Sequence, residues 1–206
     1  MGKDISEQYH IALEQFSLEE FKHILETSRL LPSQRALGEK LPERFAALEA
    51  MGIANLQDLA NRLRSKKETE RFSQESGLPQ DYLTTMRRRI GFYTPKPVPL
   101  GKFPGIDLEH VERLAAAGIK HTKQLFERAA SKQDRAELSR LTGVPGDALL
   151  ELVKLSDLAR AIGVGPVWAR LIYEAGIDTM EKLAFMSLED LADKVRATNE
   201  EKKLVK

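Results

Sequence analysis

"FAALEAMGIANLQDLANRLRSKKETERFSQESGLPQDYL", residues 45–83, lies without a gap on "VERLAAAGIKHTKQLFERAASKQDRAELSRLTGVPGDALL", which begins at residue 111, when the chain is shifted by 66 positions. Gly52 then falls on Gly118, Ile53 on Ile119, Leu59 on Leu125, Gly77 on Gly143, Pro79 on Pro145 and Leu83 on Leu149. An internal match of this length is the mark of a repeated supersecondary unit, and it governs the fold before any single motif does. A further shift of 58 places Gly118 on Gly176, Ile119 on Ile177 and Leu125 on Leu183, which gives two full units and a partial third.

Within each unit the apolar positions recur at helical spacing and stop at a glycine followed by isoleucine. That is the punctuation of a helix closed by a left-handed residue. Ser17 with Glu20 and Ser187 with Asp190 have the spacing of N-terminal caps, and Pro79, Pro145 and Pro166 suit a first helical turn. The helix "SLEEFKHILETSRLL" should run to Pro32, and "PSQRAL" starts another. "YTPKPVPLGKFPG" (93–105), with four prolines, reads as an extended connector. No strand-like alternation competes, so the expectation is an all-α chain of tandem units: residues 1–94, a connector at 95–104, and residues 105–206.

Composition narrows the function. Cysteine is absent, which excludes disulfides, thiolate zinc sites and cysteine nucleophiles. The four histidines, His10, His23, His110 and His121, have no metal-ligand spacing, and no phosphate loop, dinucleotide fingerprint or serine elbow occurs. The expectation is a protein with no catalytic residue, no metal and no cofactor. No apolar run reaches membrane-span length and the first residues lack a leader's apolar core, so the cytoplasm is the expected address and no membrane partner is expected.

The 32 basic and 31 acidic residues nearly cancel, yet they are unevenly placed. Residues 1–61 sum to −4 and residues 62–102 to +6. The basic segment holds Arg62, Arg64, Lys66, Lys67, Arg71, Arg87, Arg88, Arg89, Lys96 and Lys102. Such a run either faces solvent or tracks a phosphate backbone, and Arg87 to Arg89 at a helix end also complement the helix dipole. A second feature is "AIGVGPVWARLIYEAGI" (161–177), where glycines flank Val164 just before a helix. Unpaired amides there can hold an anion; the same glycines equally suit a tight structural turn. Trp168, one turn in, is read as a packing residue ahead of a base-stacking one.

The stretch "GVGPVWARLIYEAGIDTMEKLAFMSLEDLADKV" is similar to the helix-hairpin-helix pattern of DNA ligases, Holliday-junction proteins and archaeal recombinases. The order of parts, including "LLPSQRAL", "SGLPQDYLTTMRRRI", "KPVPLGKFPGI" and "LVKLSDLARAIGVGPVWARLIYEAGIDT", resembles domain of unknown function family 4332 over nearly the whole chain. These resemblances imply helix-hairpin-helix-like repeats whose backbone amides bind phosphate. The chain departs from the DNA-binding pattern where a Lys or Arg would follow the hairpin: Pro166, Val167 and Trp168 stand there, and Arg170 is the nearest cation. The other hairpin positions read Gly105, Ile106, Asp107 and Glu39, Lys40, Leu41. The residues expected to contact a nucleic-acid backbone, DNA ahead of RNA, are therefore Gly163, Val164, Gly165, Arg170, Arg87, Arg88, Arg89 and Lys96. The alternative is a protein-interaction scaffold of stacked amphipathic units with no nucleic-acid role.

Overall fold

A computed structural model describes residues 9–205. It is all-α: twelve α-helices and three short 3-10 turns are assigned among the described residues, with no strand beyond two isolated bridges. The chain divides into two compact units, His10–Thr94 and residues 95–205 together with Tyr9.

The unit His10–Thr94 holds α1 (Leu18–Thr27), a 3-10 turn Pro32–Gly38, α2 (Leu41–Ala50), α3 (Leu56–Arg62), α4 (Lys66–Ser76) and α5 (Gln80–Ile90). Ser17 starts α1 with a full capping box: its hydroxyl accepts the Glu20 amide while the Glu20 carboxylate accepts from Ser17. This helix stops at Thr27, four residues short of the sequence expectation, because Ser28 is already extended. The 3-10 turn begins at Pro32, and Leu31 before it is extended, as the residue preceding a proline must be. Phe21, Phe45, Leu56, Leu59, Phe72, Leu83 and Met86 form the buried core, each such side chain stabilising by about 1.5–3 kcal/mol.

The other unit holds a 3-10 turn Leu100–Lys102, then α6 (Leu108–Ala116), α7 (Thr122–Arg128), α8 (Lys132–Thr142), α9 (Gly146–Leu158), α10 (Pro166–Glu174), α11 (Met180–Phe185) and α12 (Leu188–Lys202). Leu100, Leu114, Leu125, Leu149, Val153, Leu155 and Ala169 are fully buried in its core. The tyrosine hydroxyl of Tyr9 lies 2.6 Å from the Thr122 hydroxyl, and its ring meets Phe126 edge-on. Most of the stretch read as an extended connector is ordered by the start of α7: Leu100 donates to the Lys120 carbonyl and Thr122 to that of Val98.

The bounds of α3 and α7, of α4 and α8, and the starts of α5 and α9 all differ by the 66 positions found in the sequence. Fine geometry follows the same offset. Ile53 donates to Leu48, and Ile119 to Leu114, across Gly52 and Gly118, which stand at φ +77° and +84°. Those are the bonds of a helix closed by a left-handed glycine, with isoleucine buried behind it. Gly176 and Ile177 close α10 the same way, Ile177 donating to Ile172. Pro79 and Pro145 stand one residue earlier than expected, as N-caps of α5 and α9, whereas Pro166 is in the first turn of α10. The left-handed turn before α2 falls on Lys40 at φ +48°, where no glycine is present. Among the described residues no helix is long and apolar enough to cross a membrane.

Candidate functional site

In the unit His10–Thr94 the helices α4 and α5 form a hairpin turned by Gly77, so the end of α5 lies beside the start of α4. One bond fixes this end: an Arg87 guanidinium N–H donates to the Arg64 carbonyl at 3.2 Å. Part of the basic segment is neutralised locally. Arg62 and Arg71 both reach Glu75, at 2.6 and 2.7 Å, and the hydrogen bond from Arg71 leads in holding the Glu75 carboxyl below the usual carboxylate range. Arg62 also lies over the Phe72 ring, and Arg64 is 3.8 Å from Glu68. Lys66, Lys67, Arg88 and Arg89 have no acidic partner among the described residues.

Lys66, Arg87 and Arg88 converge on one hollow of about 500 Å³, whose remaining lining is Thr69, Gln80 and Thr84. No carboxylate lines it. The threonine hydroxyls are committed to backbone carbonyls, Thr84 to Gln80 at 2.7 Å and Thr69 to Ser65 at 2.9 Å. The donors left for an outside group are the Lys66 ammonium, the Gln80 amide, Arg88 and the remaining N–H groups of Arg87. Arg88 also borders a second hollow of about 580 Å³, shared with Gln80, Asp81, Thr84 and Thr85. Arg89 is half-buried and its Nε has no partner, so it differs from its two neighbours in the run.

The glycine turn lies in the other unit. Gly163 stands at φ +79°, and the Val164 amide is spent on the Ala161 carbonyl at 3.0 Å. The amides of Gly163, Gly165, Val167 and Trp168 have no such bond, and Pro166 has no N–H. Two donors of the turn and two of the first helical turn therefore remain open. A Cβ placed on Gly163 or Gly165 would meet nothing within 4 Å. Gly163 is required by its positive φ; Gly165, extended at φ −94° and ψ −177°, is required neither by conformation nor by space. The surface around the turn is apolar, since Ile162, Val167 and Trp168 are exposed.

Arg170 corrects the sequence expectation. It is 5% exposed, and its guanidinium is held by the Glu151 and Glu174 carboxylates and by the Pro104 carbonyl at 2.7 Å. A group so enclosed does not reach a phosphate outside. Lys96 is exposed and without a partner, but belongs to the unit of the glycine turn and not to that of Arg87 to Arg89. Trp168, 44% exposed, is neither a core residue nor free: it borders an apolar groove of about 570 Å³ with Leu171, Leu188, Leu191 and Val195, between α10 and α12. His121 caps α7, its Nδ1 facing the Gln124 amide at 3.4 Å.

Gln80 and Thr84 were not singled out in the sequence, and no local signal marks them; they enter the hollow because α5 folds back on α4. The enclosure of Arg170 did leave a trace, since Glu174 follows it at the i,i+4 distance that favours an ion pair. Arg71 and Glu75 have the same spacing.

A family model described as "Domain of unknown function (DUF4332)" matches residues 104–206, half of the chain. No curated protein and no solved structure matches the sequence.

Proposed function

We propose, from the premise that the chain belongs to the DUF4332 family, whose description names no chemistry, that this protein binds nucleic-acid backbone independently of sequence and without catalysis. The recurring order of helices is read as tandem helix-hairpin-helix-like units. The observation that carries the proposal is the convergence of Lys66, Arg87 and Arg88 on one hollow without a carboxylate. Cations that serve only the fold acquire acidic partners, as Arg62, Arg71 and Arg170 have done, whereas Arg87 has only the Arg64 carbonyl, which leaves its charge uncompensated. Here three charges are kept unneutralised at one place, which costs self-repulsion that a bound anion relieves. The open amides of Gly163 and Gly165 supply a second, separate phosphate contact in the other unit.

The test is fluorescence anisotropy with labelled duplex and single strands between 50 and 200 mM salt. One phosphate neutralised in the hollow gives a log–log slope of about −0.9 on a duplex, so affinity should fall roughly three- to fourfold over that range. Lys66→Glu and Arg88→Glu should each reduce the slope by about 1. Absence of binding at low salt, or a slope near zero, refutes the proposal.

One observation favours a second reading, a protein-interaction scaffold: Phe185 and Leu188 are 86% and 85% exposed, and Leu188 lies on the rim of the apolar groove between α10 and α12. Large apolar residues exposed beside a groove are a common feature of partner-binding surfaces. A pull-down that survives Lys66→Glu and Arg88→Glu but is lost on Leu188→Glu would select this reading.

A further inference from the structure

We infer that the α4–α5 hollow receives a phosphomonoester, the phosphorylated end of a nucleic-acid strand, in preference to a phosphodiester within one; this rests on the nucleic-acid reading and specifies its ligand. Three features point there. The first is charge. A phosphodiester brings one negative charge, whereas a terminal phosphate brings about −1.5 to −2 and three terminal oxygens, which suits three converging cations and the Gln80 amide. The α4 N-terminus, beginning at Lys66, adds its partial positive charge to the same place.

The second is shape. The groups line a concavity, and a strand passing through would have to enter and leave it on either side of the bound phosphate. A strand end enters once. The third is an internal comparison. In the hairpin of α8 and α9, 66 residues on, the positions of Gln80, Thr84, Arg87 and Arg88 are taken by Gly146, Leu150, Val153 and Lys154. Val153 is buried in its core and Lys154 is bound to Asp178. The hairpin therefore forms without the polar groups of Gln80, Thr84 and Arg87, whose presence on α5 is not demanded by the fold, whereas Lys66 and Arg88 keep their charge as Lys132 and Lys154.

The residues that line the hollow include no carboxylate and no histidine; Asp81 borders the neighbouring hollow and accepts from the Tyr82 amide, and Glu68, beside Thr69 on α4, is paired with Arg64. Between pH 7.5 and 5.5 the titrating group is thus the ligand's own phosphate, whose second pKa is about 6.

The experiment compares anisotropy of the full chain with one labelled oligonucleotide carrying a 5′-phosphate, a 3′-phosphate or only hydroxyl ends, at pH 7.5 and 5.5. A phosphorylated end should bind about tenfold more tightly than hydroxyl ends, as expected for added charge-assisted hydrogen bonds, and the two phosphate arms show which end is taken. That preference should shrink at pH 5.5, and Arg88→Gln or Lys66→Gln should remove most of it while leaving the melting temperature unchanged. Equal binding of phosphorylated and hydroxyl-ended strands overturns the inference but leaves backbone binding standing. Failure of every strand to bind overturns both. Competition by a free 5′-mononucleotide as strong as by the phosphorylated strand also overturns it, since the ligand would then be a nucleotide and not a strand end.

Discussion

Arg170→Met separates a cation that holds the fold from cations that face outward. The substitution keeps most of the side chain's volume and removes a guanidinium shared by Glu151, Glu174 and the Pro104 carbonyl. Breaking a fully buried ion pair from one side costs about 3–5 kcal/mol, because the remaining charge is left uncompensated. Here the glutamate side chains are 33% and 30% exposed, so water reaches the orphaned carboxylates, and Lys202 remains 3.9 Å from Glu174. Losing the unpartnered Nη2 of Arg170 removes a small penalty as well. The expected loss is about 2–3 kcal/mol. For a unit of roughly 110 residues this lowers the transition temperature by about 8–12 °C.

The assay is urea and thermal denaturation followed by helical circular dichroism, with strand affinity measured on the same preparations below the transition. Arg170→Met should melt early and bind normally. Arg88→Gln, a change at an exposed and unpaired side chain, should melt within about 0.5 kcal/mol of the parent and bind weakly. A loss below about 1 kcal/mol for Arg170→Met, combined with a tenfold loss of affinity, would place Arg170 in the binding surface and refute its assignment to the fold.

Three further outcomes are expected. Gly165→Ala should leave stability within about 0.5 kcal/mol, since its backbone is extended and the space before it is empty, while Gly163→Ala at φ +79° should cost about 1–2 kcal/mol; equal losses in the two variants would refute this division between the glycines. Tyr82→Phe should be neutral or stabilising by up to about 1 kcal/mol, because the buried hydroxyl has no partner; a measured loss above 1 kcal/mol would show that it has one. Burial opposes ionisation of Asp178, but hydrogen bonds from Lys154 and Lys182 outweigh it and hold its carboxyl below the ordinary value. The stability from this group is present above the unfolded-state pKa of about 3.9 and is lost as pH falls from there through the lower native value. Asp178→Asn should therefore lower stability at pH 7 and flatten the acid limb of a stability profile measured from pH 6 to 2; an unchanged acid limb would contradict the assignment.

The parts of the structure that were legible in the sequence are those whose cause lies within about five residues. The capping box needs only Ser17 and Glu20, and each left-handed helix end needs a glycine followed by an isoleucine that can fold back onto the helix. Proline placement was readable to within one residue: Pro79 and Pro145 both have the fixed φ of a first turn, but their ψ near +140° places them just outside it. The stop of α1 was misplaced because Pro32 is an unambiguous signal, while the only local mark of the earlier end is Thr27, whose hydroxyl donates to the His23 carbonyl. Lys40 takes a left-handed conformation that no residue preference would suggest, and the start of α2 requires it there.

The candidate site was legible only as a charge total. Which cations of the basic segment stay open depends on Glu75 reaching Arg62 across 13 residues and on Arg87 bonding a carbonyl 23 residues back. Arg170 finds Pro104 from 66 residues away. Those distances are set by packing, and no periodicity records them. The internal match nevertheless contains a sharper signal than the charge sum. Where two hairpins share their turns, caps and core, the positions at which they differ are released from the needs of the fold. Val153 shows what the hairpin takes at that position when the residue is buried, and Arg87 shows an exposed residue that gives the hairpin one bond, to the Arg64 carbonyl, and meets no acid. Departures from an internal repeat therefore locate a binding surface better than the repeat itself, and on this chain Gln80, Thr84 and Arg87 mark it along α5, beside Lys66 and Arg88, whose charge the repeat keeps at Lys132 and Lys154.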